Sequence, residues 1–241
     1  MYLDVTDLRA FYGNRLGRIA KRLIGVRLKA LWPSAAGETL LGVGYAIPYL
    51  RDLARDCDRV MAFMPAAQGV VCWPGEAPNR TALVADDTLP LPDSSIDRVL
   101  AVHAIEMAAD SQGVLREIWR VLAPGGRLIV VVPNRAGIWA RVETTPFGHG
   151  HPFGRGQMTA LLRETMFAPE NWTQALAVPP FRRAWLRTGV GWERVGRSMW
   201  PTFAGVIIVE ATKQLHQGIP SRESRQRLEP ALRPALIPPG A

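Results

Sequence analysis

The chain has 241 residues, of which 48% are hydrophobic and 21% charged, a size that suits one large domain or two small ones. Its two cysteines, Cys57 and Cys72, form no CxxC pair, which excludes a disulfide scaffold and a zinc-finger module. No apolar run reaches the roughly eighteen residues of a transmembrane helix, and early charges such as Asp4 and Arg9 do not fit a secretory signal. We therefore expect a soluble cytoplasmic protein with no membrane partner.

The formal net charge of +8 is confined to the two ends of the chain. Residues 1–35 hold seven Lys/Arg against two Asp, residues 212–241 hold five against two Glu, and residues 36–211 hold seventeen of each sign. A neutral middle does not resemble a nucleic-acid-binding domain with a basic stripe. One alternative is an RNA partner whose phosphates bind the basic residues at the two ends of the chain.

Residues 7–32 read as one amphipathic helix, because apolar side chains recur three or four residues apart. Thr6 or Asp7 can cap its start. We expect residues 1–35 to pack this helix on the body of the protein. The opposite face of this helix carries the basic residues Arg15, Arg18, Arg22 and Lys29. This face is either a solvated surface, or a lid or binding surface for an anionic substrate.

From residue 39 the pattern alternates between short apolar strands and helices, which predicts a doubly wound α/β sheet. We predict strands at 40–43, 60–63, 82–84, 96–102 and 128–132, and helices at 48–54 and 112–122. The main domain is expected to span residues 36–213.

After Asn134 the chain becomes rich in loops, and residues 135–200 are expected to form the substrate side of this domain. We predict a helix at 157–164, a strand at 175–178, a helix at 182–200 and a last strand at 203–211. Residues 214–241 contain five prolines and no apolar periodicity from 217 onward, so we predict a disordered tail.

The bend between the first predicted strand and helix reads Gly42-Val43-Gly44-Tyr45-Ala46. Glycines let the backbone approach a ligand, and the helix that follows offers free N–H groups and a positive dipole end. A dinucleotide fingerprint would also need a glycine at Ile47 and an acidic residue after the second strand, and both are missing. From these residues alone, a ligand loop and an ordinary strand-to-helix turn are equally good interpretations.

Two downstream runs change this balance. They are DDTLPLPDSSIDRV at 86–99 and LREIWRVLAPGGRL at 115–128, and together they closely resemble class I S-adenosylmethionine-dependent methyltransferases of the type 11 branch. The resemblance covers residues 38–133. It implies a Rossmann-like sheet that is mostly parallel with an antiparallel C-terminal strand, S-adenosylmethionine as cofactor, and methyl transfer to an acceptor.

The resemblance also implies site residues, since ligands of open α/β sheets lie at the carboxyl ends of the strands. Four residues of the bend would line the methionine part of the cofactor: Gly42, Gly44, Tyr45 and Ala46. Asp86 or Asp87 would accept from the adenine amino group, and Phe63 could stack on adenine beside Met64. His103, near the cofactor, is the candidate general base, and the carboxylate of Glu106 is the second candidate catalytic group. A bulky residue at position 44, as in Gly44→Val, is expected to block the cofactor.

This sequence departs from the family at three positions that normally anchor the cofactor. Leu40 stands where an acidic residue is usual, Ala46 replaces a glycine, and residues 62–65 lack the acid that binds the ribose. Losing such a charged hydrogen bond costs about 1.5–3 kcal/mol. A methyltransferase-like scaffold or regulatory partner with weak cofactor binding is therefore a second hypothesis, and an RNA-modifying methyltransferase a third.

We expect a small-molecule acceptor, although a protein partner stays open. Asn134 follows the fifth predicted strand, and a long aromatic, glycine-rich loop comes after it, as in many lids and substrate walls. The loop residues assigned to the substrate side are Phe147, His149, His151 and Phe153. The His-x-His pair lacks an evident third ligand, so no metal site is predicted.

Overall fold

The computed structural model describes residues 3–75, 78–177, 179–180 and 204–215. Five α-helices and seven strands are present in this part of the chain. In chain order they are α1 (Val5–Gly13), α2 (Arg15–Leu31), β1 (Thr39–Gly44), α3 (Ile47–Leu53), β2 (Arg59–Pro65), β3 (Thr81–Val84), β4 (Ile96–Val102), α4 (Ser111–Val121), β5 (Leu122–Pro133), α5 (Arg155–Glu164), β6 (Phe167–Ala175) and β7 (Val206–Lys213). Short 3₁₀ turns lie at Trp139–Arg141 and Pro146–Gly148.

All seven strands join one sheet in the order β3-β2-β1-β4-β5-β7-β6. The first five strands are parallel, and β7 runs antiparallel between β5 and β6. The predicted doubly wound, Rossmann-like fold with an antiparallel C-terminal part is thereby confirmed. Strand order reverses between β1 and β4, and a crevice opens at the carboxyl ends of strands at such a point.

Helices cover both faces of the sheet because successive strand residues point in opposite directions. Leu40 of β1 packs in the cluster that includes α2 and α3, whereas its neighbour Leu41 packs in the cluster that includes α4 and α5. Both side chains are fully buried. No helix of the described residues is long and apolar enough to cross a lipid bilayer.

The N-terminal amphipathic segment is two helices rather than the single helix predicted. Asn14 lies between them in an extended conformation and caps α2 by accepting from the Gly17 amide at 2.8 Å. A Cβ at Gly17 would lie 1.9 Å from the Phe11 carbonyl oxygen, so the two helices meet too closely for any larger residue. Asp4, not Thr6 or Asp7, caps α1.

The end of the sheet also differs from the prediction. The strand expected at 175–178 lies instead at Phe167–Ala175, and Leu176, with φ of +63°, stands just after its end. The last strand is Val206–Lys213, shifted toward the C-terminus from the predicted 203–211. The predicted helix at 182–200 and the predicted disordered tail fall outside the described residues, apart from 214 and 215.

The LREIWRVL run has a structural role in α4. Arg120 donates to Glu117, to Asp93 and to the backbone carbonyls of Leu89 and Leu91, which ties α4 to the segment before β4. The Arg120 hydrogen bonds hold the pKa of Glu117 below its usual value. The run therefore contributes to the scaffold of the sheet.

Candidate functional site

The bend after β1 is packed by the protein's own backbone. Gly44 has φ of +73°, and a Cβ placed on it would lie 2.4 Å from the Val102 carbonyl oxygen of β4. That oxygen accepts from the Tyr45 amide at 2.8 Å. Gly42 is enclosed in the same way, with a Cβ position 2.9 Å from both Ala46 and Leu50. These two glycines are therefore required by the turn itself.

An aromatic residue of α1 fills the space above this bend. The ring of Tyr12 stacks on Tyr45 with centroids 5.7 Å apart, and it meets Tyr49 and His103 edge-on at 6.0 and 5.9 Å. Phe147 closes the other side of His103 at 5.1 Å. The carboxyl ends of β1 and β4 thus lie beneath a layer of rings.

A chain of polar contacts runs through these rings, and we call its five residues the crevice network: Tyr12, Tyr49, Gln68, His103 and Glu106. The Tyr12 hydroxyl lies 3.1 Å from the Tyr49 hydroxyl and 2.9 Å from His103 Nε2. His103 Nδ1 lies 3.2 Å from Glu106 Oε1, and Gln68 Nε2 donates to the His103 carbonyl oxygen at 3.1 Å. His103 is 0% exposed and Glu106 is 1% exposed.

Burial fixes the protonation of the phenols in this network. Removal from water raises the pKa of Tyr12 well above its usual value, and it raises that of Tyr49 and, less strongly, of Tyr45. The three hydroxyls therefore stay neutral over the whole physiological range. A neutral Tyr12 can donate to one neighbour while it accepts from the other.

Four buried polar atoms of the crevice network have no hydrogen-bond partner among the described residues: Gln68 Oε1, His103 Nδ1 and both carboxylate oxygens of Glu106. His103 Nδ1 and Glu106 Oε1 face each other at 3.2 Å without hydrogen-bond geometry, which leaves Gln68 Oε1 and Glu106 Oε2 as the acceptors open to a ligand. Buried acceptors of this kind normally have a partner, which can be a bound ligand. They are suited to ligand groups that donate, such as hydroxyls or an ammonium.

His103 has an unusual backbone conformation. Its φ of +51° lies in the left-handed region, which a residue with a side chain enters at a cost in energy. This conformation follows directly after β4 and precedes Glu106 by three residues. Strain of this kind is found most often where side chains are positioned for function.

The residues predicted for the adenine side of the cofactor lie along the β2–β3 edge. Phe63 and Met64 belong to β2 and are buried, one in each core cluster. Asp86 is half-buried and Asp87 is exposed, in the turn closed by the bridge between Ala85 and Thr88. Among the described residues that follow β2 and β3 at this edge, Asp86 and Asp87 alone offer carboxylates, because β2 ends in Met64 and Pro65.

The predicted substrate residues do not form one cluster. Phe147 is buried against His103, but the His149 ring contacts the Glu143 carbonyl oxygen at 2.7 Å and the His151 side chain is exposed. Phe153 pairs through its backbone with Asn134 beyond β5. The described residues contain no cluster of three or more His, Cys, Asp or Glu side chains that could hold a metal ion.

The side chain of Asn134 is occupied by hydrogen bonds to the protein backbone. Its side-chain amide donates to the Ala204 carbonyl at 2.8 Å, and its Oδ1 accepts from the Ala136 amide at 3.2 Å. It also lines a cavity of about 470 Å³ beside Arg135 and Arg155. A second cavity, of about 400 Å³, lies between α1 and the loop at 143–149.

Sequence reasoning misses three members of the crevice network. In the sequence, Tyr12 stands out only as part of an apolar stripe, and Tyr49 only as a residue of the helix after the bend. Gln68 carries no pattern of its own, since it follows β2 in an irregular segment. The one available signal is the i, i+4 spacing of Tyr45 and Tyr49 at a glycine bend.

Residues 41–130 match the family model described as a methyltransferase domain. Among curated relatives, 27-O-demethylrifamycin SV methyltransferase of Amycolatopsis mediterranei is 30% identical over 60% of this chain and 59% of its own. Demethylmenaquinone methyltransferase of Deinococcus radiodurans is 31% identical over 50% of each chain. This chain therefore spans about half the length of the curated relatives it matches.

Solved structures share the fold at low identity. A SAM-dependent methyltransferase from Thermotoga maritima superimposes with a TM-score of 0.58 at 19% identity, over 87% of this chain and 96% of its own. The [4+2]-cyclase SpnF superimposes with a TM-score of 0.56 at 19% identity, over 82% of each chain. These likenesses establish the architecture alone, and one fold can carry different reactions.

Proposed function

Since residues 41–130 form a class I methyltransferase domain of the type 11 branch, we propose that this protein is an S-adenosylmethionine-dependent methyltransferase. We place its site in the crevice above β1 and β4. The acceptor in this proposal is a small molecule, in line with the relatives named for rifamycin and menaquinone precursors. One observation supports the location above all: unpartnered acceptors are buried at the point where strand order reverses.

The residues around the crevice suit the polar groups of this cofactor. S-adenosylmethionine, when bound, supplies a methyl group on a sulfonium. Gln68 Oε1 and Glu106 Oε2 would accept from its hydroxyl and ammonium groups, because both are buried and free. Asp86 would accept from the adenine amino group. Gln68 would then replace the ribose-binding carboxylate that β2 lacks.

Helix α1 closes this crevice, so we infer that it acts as a lid. Its buried Tyr12 ring stands above the bend, and its first amide, that of Val5, donates to the Gln68 carbonyl oxygen at 2.8 Å. Asn14, extended between α1 and α2, is the natural hinge. The 400 Å³ cavity beside Phe11 leaves space into which α1 can move.

Opening of the lid would also release the candidate base. His103 Nε2 is held by the Tyr12 hydroxyl at 2.9 Å, so it cannot take a proton from an acceptor while α1 is closed. The Glu106 carboxylate lies 3.2 Å from the other ring nitrogen, Nδ1, where it would stabilise the imidazolium that forms when Nε2 takes a proton. Withdrawal of Tyr12 would leave Nε2 free with Glu106 still beside Nδ1, as general base catalysis requires.

A second candidate function is a methyltransferase-like scaffold that does not bind the cofactor. It is favoured by the filled crevice and by the absence of the acidic residues that the family resemblance implies at Leu40 and within residues 62–65. The architecture alone does not decide between the two, since SpnF shares it and is named as a cyclase.

Calorimetric titration of the full chain with S-adenosylmethionine separates these functions. The enzyme proposal predicts saturable heat with a dissociation constant between about 10 μM and 1 mM, because the lid must open and the ribose carboxylate is absent. S-adenosylhomocysteine should compete. If the native chain and a variant with a weakened lid both give no heat at millimolar ligand, the scaffold function is supported instead.

A further inference from the structure

A groove of about 490 Å³ runs between α2 and α3, and its lining shares one residue, Tyr49, with the crevice network. Its wall is one side of α2, its floor is the buried ring of Tyr49, and its far edge is the α3 residues Asp52 and Leu53. Cavities of this size commonly hold ligands. Neither the family resemblance nor the cofactor proposal uses this groove.

Four cations line the α2 wall: Arg18, Lys21, Arg22 and Lys29. None of them forms an ion pair with another described residue. The single carboxylate in the lining, Asp52, lies 3.8 Å from Arg55, a residue outside the groove. The groove therefore carries uncompensated positive charge, which attracts anions and repels cations.

The spacing of the cations favours a chain of anions over one small anion. Arg18 and Lys29 are eleven positions apart in a continuous helix, which places them about 17 Å from each other along the axis. A single phosphate or carboxylate could meet only one end of this row. A polymer with repeated phosphates can meet all of it.

The same wall is poorly suited to a lipid surface. An interfacial helix inserts an apolar face into the membrane. Here the large apolar side chains of α2 are buried, such as Leu23 and Leu28, or half-buried, and Val26 is the one large apolar side chain of α2 that is exposed, at 57%.

We propose that the α2–α3 groove binds the phosphate backbone of a single-stranded nucleic acid. Contacts are made by the four α2 cations and carry no sequence preference, because Tyr49 is only 2% exposed and offers no ring for a base to stack on. The proposal does not depend on cofactor binding. Either can fail while the other holds.

Gly25 provides a sharp test because it lines the groove and a Cβ added there would have no atom within 4 Å. Gly25→Glu places a carboxylate one turn from both Lys21 and Lys29, and Gly25→Gln gives the same shape without charge. Both variants should keep the fold, since each replaces a helical glycine by a better helix former. Far-ultraviolet circular dichroism checks this.

The probe is a fluorescein-labelled oligouridylate of about twelve nucleotides, and fluorescence anisotropy with the full chain is measured at several salt concentrations. Gly25→Glu should bind about fivefold or more weakly than Gly25→Gln. Its slope of log K against log salt should be shallower by about 0.7 for each phosphate that the variant no longer neutralises. The double variant Lys21→Gln, Arg22→Gln should behave like Gly25→Glu, and Arg163→Gln on α5 like the native chain.

Equal binding by Gly25→Glu and Gly25→Gln would overturn the proposal, as would no binding by the native chain. Two parallel arms address other ligands of the groove. The first arm uses vesicles of phosphatidylserine and phosphatidylcholine in equal parts. If vesicle binding differs between Gly25→Glu and Gly25→Gln while oligouridylate binding does not, the groove binds a lipid surface instead. Inorganic phosphate that displaces the oligonucleotide at equal phosphate concentration would show a site for a small anion.

Discussion

Replacing Tyr12 by alanine is expected to raise the affinity for S-adenosylmethionine about tenfold while it lowers the free energy of unfolding by about 3 kcal/mol. The ring stacks on Tyr45 and its hydroxyl contacts Tyr49 and His103, so its removal empties the crevice and frees His103 Nε2. A binding site that is open more of the time binds more tightly in proportion. Calorimetry gives the affinity, and denaturant unfolding gives the stability.

Leu162→Ala is the matched control for this variant. Leu162 is fully buried in α5, within the cluster on the opposite face of the sheet, so its truncation costs a similar amount, about 2–5 kcal/mol, without touching the lid. Its cofactor affinity should stay within about twofold of the native value. An affinity gain shared by both variants would mean that general loosening is responsible. No gain in Tyr12→Ala would mean that α1 does not gate the site.

Gly44→Val should destabilise the protein by about 3–5 kcal/mol, enough to unfold much of it. A valine at φ of +73° is strained, and its Cβ would lie 2.4 Å from the Val102 carbonyl oxygen and 2.9 Å from that of His103. The sequence suggests this substitution as a way to block the cofactor. The geometry shows that it acts on the turn, so lost binding in Gly44→Val would say little about the ligand.

Gly156→Val serves as the comparison, because a Cβ at Gly156 has no atom within 4 Å. Thermal unfolding followed by circular dichroism should show a large fall in Tm for Gly44→Val and a change of a few degrees at most for Gly156→Val. Similar Tm values for the two variants would contradict the tight packing described for the bend.

The sheet could be predicted because its signals are local. Alternation places Leu40 and Leu41 in opposite cores, and the run at 115–128 supplies a helix, a turn and a buried strand in order. The predicted position of strand β6 is wrong for a physical reason. Among the described strands it lies at the edge of the sheet and pairs with β7 alone, so it can hold polar residues and Pro169, next to which the register shifts.

The crevice is harder to predict because its contacts join distant parts of the chain. The i, i+3 spacing of His103 and Glu106 is visible in the sequence, but the positive φ of His103 and the 3.2 Å approach of the two side chains are not. Tyr12 reaches His103 across 91 positions. An apolar stripe shows that Tyr12 faces inward, and only the break at Asn14 determines which part of the core it meets.

Hydrogen–deuterium exchange with and without S-adenosylhomocysteine tests the central claim most directly, because it reports amide by amide where the ligand acts. If the crevice is the cofactor site and α1 its lid, the ligand should slow exchange in residues 44–50 and 103–106 and should change exchange in residues 5–13. The contradicting result is saturating ligand that leaves these segments unchanged, or that alters exchange only elsewhere in the chain.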